Sequence, residues 1–174
     1  MSHEFRTPLS SVIGFTEQLE QSGLNSEQTE YLSGILSSSE ILLTTVNDIL
    51  DLSKLEAGKM TFLNNPFRPE ETIRQSVRSF ESMIRERKLR IRVNSIKPGA
   101  VLIGDEIRLR QVLNNLISNA VKYTLKGTIT LDASLIPGDI KAMLEISVKD
   151  TGIGMSSGQL DTVFDEYSRF STGN

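Results

Sequence analysis

The sequence predicts two architectures in series: an N-terminal all-α helical hairpin that pairs into a dimeric four-helix bundle, then an α+β two-layer sandwich with a mixed sheet. Three observations carry this. Apolar residues recur at alternating spacings of three and four from residue 5 to residue 56. Beyond residue 66, period-two segments alternate with period-3.6 segments. Between them stands the breaker cluster Asn64-Asn65-Pro66. We therefore expect domains at 1–60 and 66–174.

In the first half, Phe5, Leu9, Val12, Thr16 and Leu19 mark one helix, with Pro8 inside it. Proline removes the hydrogen bond to the Glu4 carbonyl and favours a kink. Gly23, in a polar break, stops this helix, and Ser26-Glu27-Gln28 opens a second. Leu32, Ile35, Ser39, Leu42, Val46, Ile49, Ser53 and Glu56 keep a heptad spacing until Gly58, with Tyr31, Leu36, Leu43 and Leu50 widening the stripe. A lone hairpin has nothing inside itself to cover that stripe, so a second copy is the economical cover. Packing on the rest of the chain is the alternative.

In the second half, Pro69 with Glu70 and Glu71 resembles a helix start, and Ile73, Val77, Phe80 and Ile84 give one helix its apolar face. Leu89, Ile91 and Val93 alternate with arginines as a strand. Val101–Ile103 suggests a short strand and Asp105–Tyr123 a helix whose buried stripe is Val112, Leu113, Leu116, Ile117 and Ala120. Gly127 opens the strand 128–133, Pro137-Gly138-Asp139 signals a turn, and Met143–Lys149 returns.

Composition narrows the function classes. The chain has 174 residues, 38% hydrophobic and 24% charged, as an ordinary globular protein does. A net charge of −3 gives no footprint for nucleic acid. No cysteine is present, which excludes disulfides and thiolate metal sites. No apolar run approaches the roughly 20 residues that span a bilayer.

Three segments carry candidate chemistry. Ser2-His3-Glu4-Phe5-Arg6-Thr7-Pro8-Leu9 holds the only histidine. Imidazole is a nucleophile that a neighbouring carboxylate can orient or deprotonate; a solvated, idle histidine near a chain end is the other reading. On the helix 105–123, Asn115 and Asn119 are four apart, and Lys122 lies three further on that side. Amide oxygens can ligate Mg²⁺ while lysine meets phosphate, or the face is simply solvated. Asp150-Thr151-Gly152-Ile153-Gly154-Met155 follows a strand. Its glycines let backbone approach a flat ligand, and its aspartate can accept from an exocyclic amine, unless it is an ordinary strand-ending turn.

In order and spacing these segments resemble the sensor histidine kinases of two-component systems. SHEFRTPLS is similar to their phospho-acceptor box, QVLNNLISNAVKYT to the asparagine box and DTGIGM to the first glycine box. Val163-Phe164-Asp165-Glu166-Tyr167 is similar to the phenylalanine box, with Tyr167 where a second phenylalanine is commoner. The resemblance implies that the sandwich is the ATP-binding fold shared with gyrase, Hsp90 and MutL. It implies phosphorylation of His3, acid/base help from Glu4, and water positioning by Thr7 for phosphatase chemistry. Asn115 and Asn119 would hold Mg²⁺, Lys122 would meet the ATP phosphates and Tyr123 the adenine. Asp150 would read the adenine amine, with Gly152 and Gly154 making room. Implied partners are a second copy and the receiver domain of a response regulator. The implied location is cytoplasmic, with membrane attachment through upstream segments. The family continues past Asn174 into a second glycine-rich box, so the chain reads as a fragment cut at both ends, and we expect weak ATP binding from it. A non-phosphohistidine ATPase of the same sandwich fold and an inactive, regulator-binding dimer are the competing readings.

Overall fold

The computed structural model describes residues 2–94, 99–138 and 141–164, and of residues 2–6 the backbone alone. The chain folds as two units, Met1–Thr61 and Phe62–Asn174.

Unit one is a helical hairpin of α1 (Ser2–Glu20) and α2 (Ser26–Glu56). α1 runs through Pro8 without a break. α2 starts one residue earlier in its capping logic than the sequence suggests. Asn25 is the cap: its side chain accepts from the Gln28 amide at 2.9 Å, and the Gln28 side chain accepts from the Asn25 amide at 3.0 Å. At the other end Gly58, with φ of 63°, closes a Schellman motif. Lys59 N–H reaches the Lys54 carbonyl at 2.9 Å and Gly58 N–H the Leu55 carbonyl at 3.0 Å. The hairpin buries little of its own stripe. Among the described residues of this unit Leu32 is the one buried large apolar side chain, beside the small polar Thr16 and Ser39. Phe15, Tyr31, Ile35, Leu42 and Ile49 stay exposed.

Unit two begins with β1 (Asn65–Phe67), followed by α3 (Pro69–Arg78), α4 (Glu81–Glu86), β2 (Arg90–Asn94), β3 (Leu102–Gly104), α5 (Glu106–Tyr123), β4 (Thr128–Ile136), β5 (Met143–Asp150) and α6 (Ser157–Thr162). β1 pairs antiparallel with β3, and the mixed sheet has the order β2-β4-β5, with β2 parallel and β5 antiparallel to β4. Inward positions Ile129, Leu131, Ala133, Ile146 and Val148 meet Ile73, Val77, Ile84, Leu113, Ile117, Ala120 and Val121 from the helices in one core. The second unit is thus helices over one face of a mixed sheet, as predicted.

Three expectations need correction, and one helix was not expected. Pro66, read as a breaker, sits in β1 opposite Ile103; a proline is tolerated where a strand has a neighbour on one side only. The single helix expected from 69 to 84 is two, because Phe80 (φ −110°, ψ 2°) leaves the helical region between them. The buried stripe of α5 is Leu113, Ile117, Ala120 and Val121, while Val112 and Leu116 are exposed. The helix rotates so that Val121, not Val112, faces the sheet. Finally α6 was not foreseen; its start is a capping box of Ser156 and Gln159. Asp139 of the expected turn lies outside the described residues.

α4 ends in a second Schellman motif: Leu89 N–H meets the Ile84 carbonyl and Lys88 N–H the Arg85 carbonyl, both at 3.0 Å. Its left-handed residue is Lys88, with φ of 55°, where glycine would be relaxed. The buried pair Ile84 and Leu89 supplies the apolar contact that usually accompanies this cap.

Candidate functional site

In unit one, α1 puts positions 3 and 7 about one turn apart on the same side of the helix. The side chains of His3 and Glu4 lie outside the described residues. Thr7 is exposed, and its carbonyl accepts the Ser11 hydroxyl at 3.0 Å. Pro8 leaves the Glu4 carbonyl without its usual i+4 donor.

In unit two the residues singled out by sequence fall along the outer side of α5 and the turn after β5. Asn115, Asn119 and Lys122 are exposed, and Tyr123 is half-buried. At 1.5 Å rise per residue, Asn119 lies about 6 Å and Asn115 about 12 Å back along the axis from Tyr123. The Lys122 ammonium sits 5.0 Å from the Tyr123 ring centroid, within cation–π range. α5 is fixed at both ends. Asp105 caps its start, accepting from the Arg108 amide at 3.1 Å and from the Leu63 amide at 3.0 Å. The Leu63 and Arg108 amides hold the Asp105 carboxyl below its ordinary value. At the far end the Arg87 guanidinium donates to the carbonyls of Val121 at 3.1 Å and Lys122 at 3.3 Å, two of the acceptors a helix terminus leaves open.

The end of α5 abuts the Asp150 turn. Tyr123 carbonyl accepts from Ile153 N–H at 3.2 Å. Asp150 Oδ1 accepts from Gly152 N–H at 2.8 Å and lies 3.5 Å from the Thr124 hydroxyl. The Thr151 hydroxyl accepts from Thr128 N–H at 3.0 Å. A Cβ at Gly152 would stand 2.4 Å from the Tyr123 carbonyl oxygen and 2.7 Å from Asp150 Oδ1. The tightness at Gly152 comes from the protein's own backbone, a reason for glycine that the sequence does not display. Gly154 instead has open space around it and a φ of 67°.

The structure therefore brings Lys122 and Tyr123 to the Asp150–Gly152 turn, with Asn119 and Asn115 one and two turns behind. It adds residues that the motifs did not single out. Thr124 is fully buried, and Asn114 has a buried carbonyl oxygen with no partner among the described residues. The signal for Thr124 was a hydroxyl directly after the last periodic residue of the helix. Phe164 is almost fully exposed, and Asp165–Tyr167 lies outside the described residues. Among the described residues no group of three or more His, Asp or Glu could cage a metal. Two exposed amides on one helix face, without carboxylates, suit a small hard cation that keeps several waters and arrives on phosphate oxygens.

Comparison with known proteins matches both units. Residues 1–58 fit the family model of the His Kinase A (phospho-acceptor) domain. Residues 104–174 fit that of the histidine kinase-, DNA gyrase B-, and HSP90-like ATPase. The chain is 42% identical, over 96% of its length, to the autoinducer 2 sensor kinase/phosphatase LuxQ of Vibrio cholerae, of which it spans 20%. It is also 42% identical, over 97% of its length, to the sensor protein GacS of Pseudomonas syringae, of which it spans 19%. The crystal structure of full-length ShkA in complex with AMPPNP superposes with a TM-score of 0.72 and 36% identity, covering 91% of this chain and 34% of that one. The chain thus spans about a fifth of the length of the curated relatives it matches.

Proposed function

We propose, from the premise that this chain belongs to the sensor histidine kinases of two-component systems, that it is the part of its protein that moves phosphate from ATP to His3 and on to an aspartate of a response regulator. The observation that carries the reading is the junction of the Asp150 turn with the end of α5, beside the lysine and asparagines of that helix.

Adenine lies against Asp150, whose carboxylate accepts from the exocyclic amine, with Tyr123 beside the base. The triphosphate runs back along α5, where Lys122 meets its oxygens. Asn115 and Asn119 are the residues that would hold Mg²⁺, which would supply neutralisation of the phosphate charge. A His3 ring nitrogen attacks the γ-phosphorus as the bond to the ADP oxygen breaks, and Glu4 takes the proton from the other ring nitrogen. The phosphoryl group then passes to a carboxylate oxygen of the regulator as its bond to the ring nitrogen breaks, and Glu4 returns the proton to the ring, restoring neutral His3. In the reverse duty Thr7 positions a water that hydrolyses the regulator's phosphoaspartate.

The exposed Ile35, Leu42 and Ile49 of the hairpin support a homodimer in which they line the seam with half-buried Val46, while Leu32, expected in that seam, is already buried within the hairpin. None of the described helices is long and apolar enough to cross a membrane, so the cytoplasmic, inner-membrane-attached location proposed for the whole protein depends on other segments.

The test is incubation of the full-length protein with Mg-ATP. Acid-labile, base-stable phosphate should appear on the wild type and be absent from His3→Ala and Asp150→Ala. Glu4→Ala should slow labelling by about 10²–10⁴-fold. Thr7→Ala should keep labelling and lose phosphatase activity. Label that survives His3→Ala rejects the assignment.

A further inference from the structure

The junction between α5 and the Asp150 turn holds a residue with no role so far. Thr124 ends α5, and its backbone N–H is used by the Ala120 carbonyl at 3.1 Å. Its side chain is fully buried. Buried hydroxyls are almost always hydrogen-bonded, and among the described residues the partner of this one is Asp150 Oδ1 at 3.5 Å. That distance is long for such a bond, so the burial, which offers the hydroxyl nothing else, carries the argument. The same oxygen accepts from Gly152 N–H at 2.8 Å. Oδ2 takes part in neither contact.

Two donors on one carboxylate oxygen fix the rotation of the group about its last torsion, which is otherwise broad. The platform beneath is equally constrained. On one side Tyr123 carbonyl is bound by Ile153 N–H. On the other, Thr128 N–H is bound by the Thr151 hydroxyl, and Gly127 approaches Thr151 so closely that a Cβ would overlap its oxygen. The turn therefore has no room to slide past Thr124.

We infer that Thr124 is a positioning residue for base recognition: its buried hydroxyl, with the Gly152 amide, holds Asp150 Oδ1 so that Oδ2 is the oxygen presented to the exocyclic amine of adenine. The inference rests on the proposed reading that Asp150 meets that amine. It predicts a selective defect, because a carboxylate free to rotate loses a directional contact with the amine and leaves contacts with sugar and phosphates intact.

The test is equilibrium binding of ATP and of purine riboside triphosphate, which lacks the amine, to the full-length protein. Thr124→Val removes the hydroxyl at nearly constant shape and should weaken ATP binding about tenfold, the scale of one lost bond to a charged acceptor. Its affinity for purine riboside triphosphate should stay within about twofold, and Thr124→Ser should bind both nucleotides within about twofold of wild type, by the same scale. Should Thr124→Val fail to fold, Thr124→Ala against Thr124→Ser carries the same comparison. Equal weakening of both nucleotides would reduce Thr124 to a core residue and overturn the proposal, as would unchanged ATP affinity in the valine variant. A wild type that binds the two nucleotides equally would instead remove the parent reading of Asp150, and the inference with it.

Discussion

Replacing Gly152 with alanine tests the junction between α5 and the Asp150 turn directly. The added Cβ would lie 2.4 Å from the Tyr123 carbonyl oxygen, 2.9 Å from its carbon and 2.7 Å from Asp150 Oδ1. Carbon–oxygen contacts settle at about 3.3 Å or more, so the turn has to open by roughly 1 Å. Opening strains two bonds at once: Ile153 N–H to Tyr123 carbonyl, 3.2 Å, and Gly152 N–H to Asp150, 2.8 Å. A neutral bond contributes about 1 kcal/mol and one to an exposed carboxylate about 1.5. The stiffer unfolded chain of the alanine variant returns about 0.5 kcal/mol. The expected loss is about 2 kcal/mol of stability in the second unit, read as an earlier denaturant midpoint. ATP affinity should fall by about thirtyfold if the carboxylate moves with the turn. Gly154→Ala is the control. Its surroundings are open, and only its φ of 67° penalises a side chain, at about 1 kcal/mol. A Gly152→Ala protein no less stable than Gly154→Ala, with ATP affinity unchanged, would refute the argument.

Three further outcomes are expected. Leu42→Lys with Ile49→Lys, at half-exposed seam positions, should convert a dimer to monomers in sedimentation, since charge enters a desolvated seam; a monomeric wild type at high concentration would defeat the bundle reading. Lys88→Gly should raise stability by about 1 kcal/mol by relaxing the left-handed cap residue, and an unfolding midpoint that falls instead would count against the strain. Asp105, held below its ordinary value of 3.8 by the amides of Leu63 and Arg108, stabilises the folded state fully above that value. The contribution is lost as pH falls through the lower folded value. The stability gap between wild type and Asp105→Ala, followed by denaturant titration, should be constant near neutrality and shrink below about pH 4; a gap that widens on acidification contradicts the sign.

What the sequence made legible was set by periodicity and punctuation. The α1–α2 hairpin, the Pro69 helix start, the Gly58 stop and the β4–β5 return all follow from local residue types, because each is decided within a few neighbouring positions. β1 was hidden because pairing with β3 is a tertiary matter that overrides Pro66. The division between α3 and α4 was hidden because Phe80 continues the helical spacing while its backbone does not. Val112 and Leu116 misled because their spacing fits the stripe as well as Leu113 and Ile117 do, and one helix rotation decides between them. At the site, Asp150, Lys122 and the two asparagines carry recognisable chemistry in their types. Thr124 and the true constraint on Gly152 depend on an approach between segments 26 residues apart, seen in the Thr124–Asp150 contact, and no local pattern announces that.

The strand order also has a consequence for how the second unit comes into being. β4 and β5 meet through pairs nearest in sequence at Ile136 and Met143, seven residues apart, and zip toward the Ile129–Asp150 pair. β2 reaches β4 across 38 residues, at Asn94 and Asp132, with α5 in the crossover. Loop closure makes the near contact fast and the far one slow. The Asp150 arm is thus laid down with the hairpin, while Thr124 and Tyr123 arrive when the crossover docks. That docking is also the step that covers Ile129 and Leu131 with Leu113 and Ile117. Assembly of the proposed nucleotide site and burial of the core are completed together, so a ligand gripping both arms would recognise only finished molecules and draw the folding equilibrium toward them.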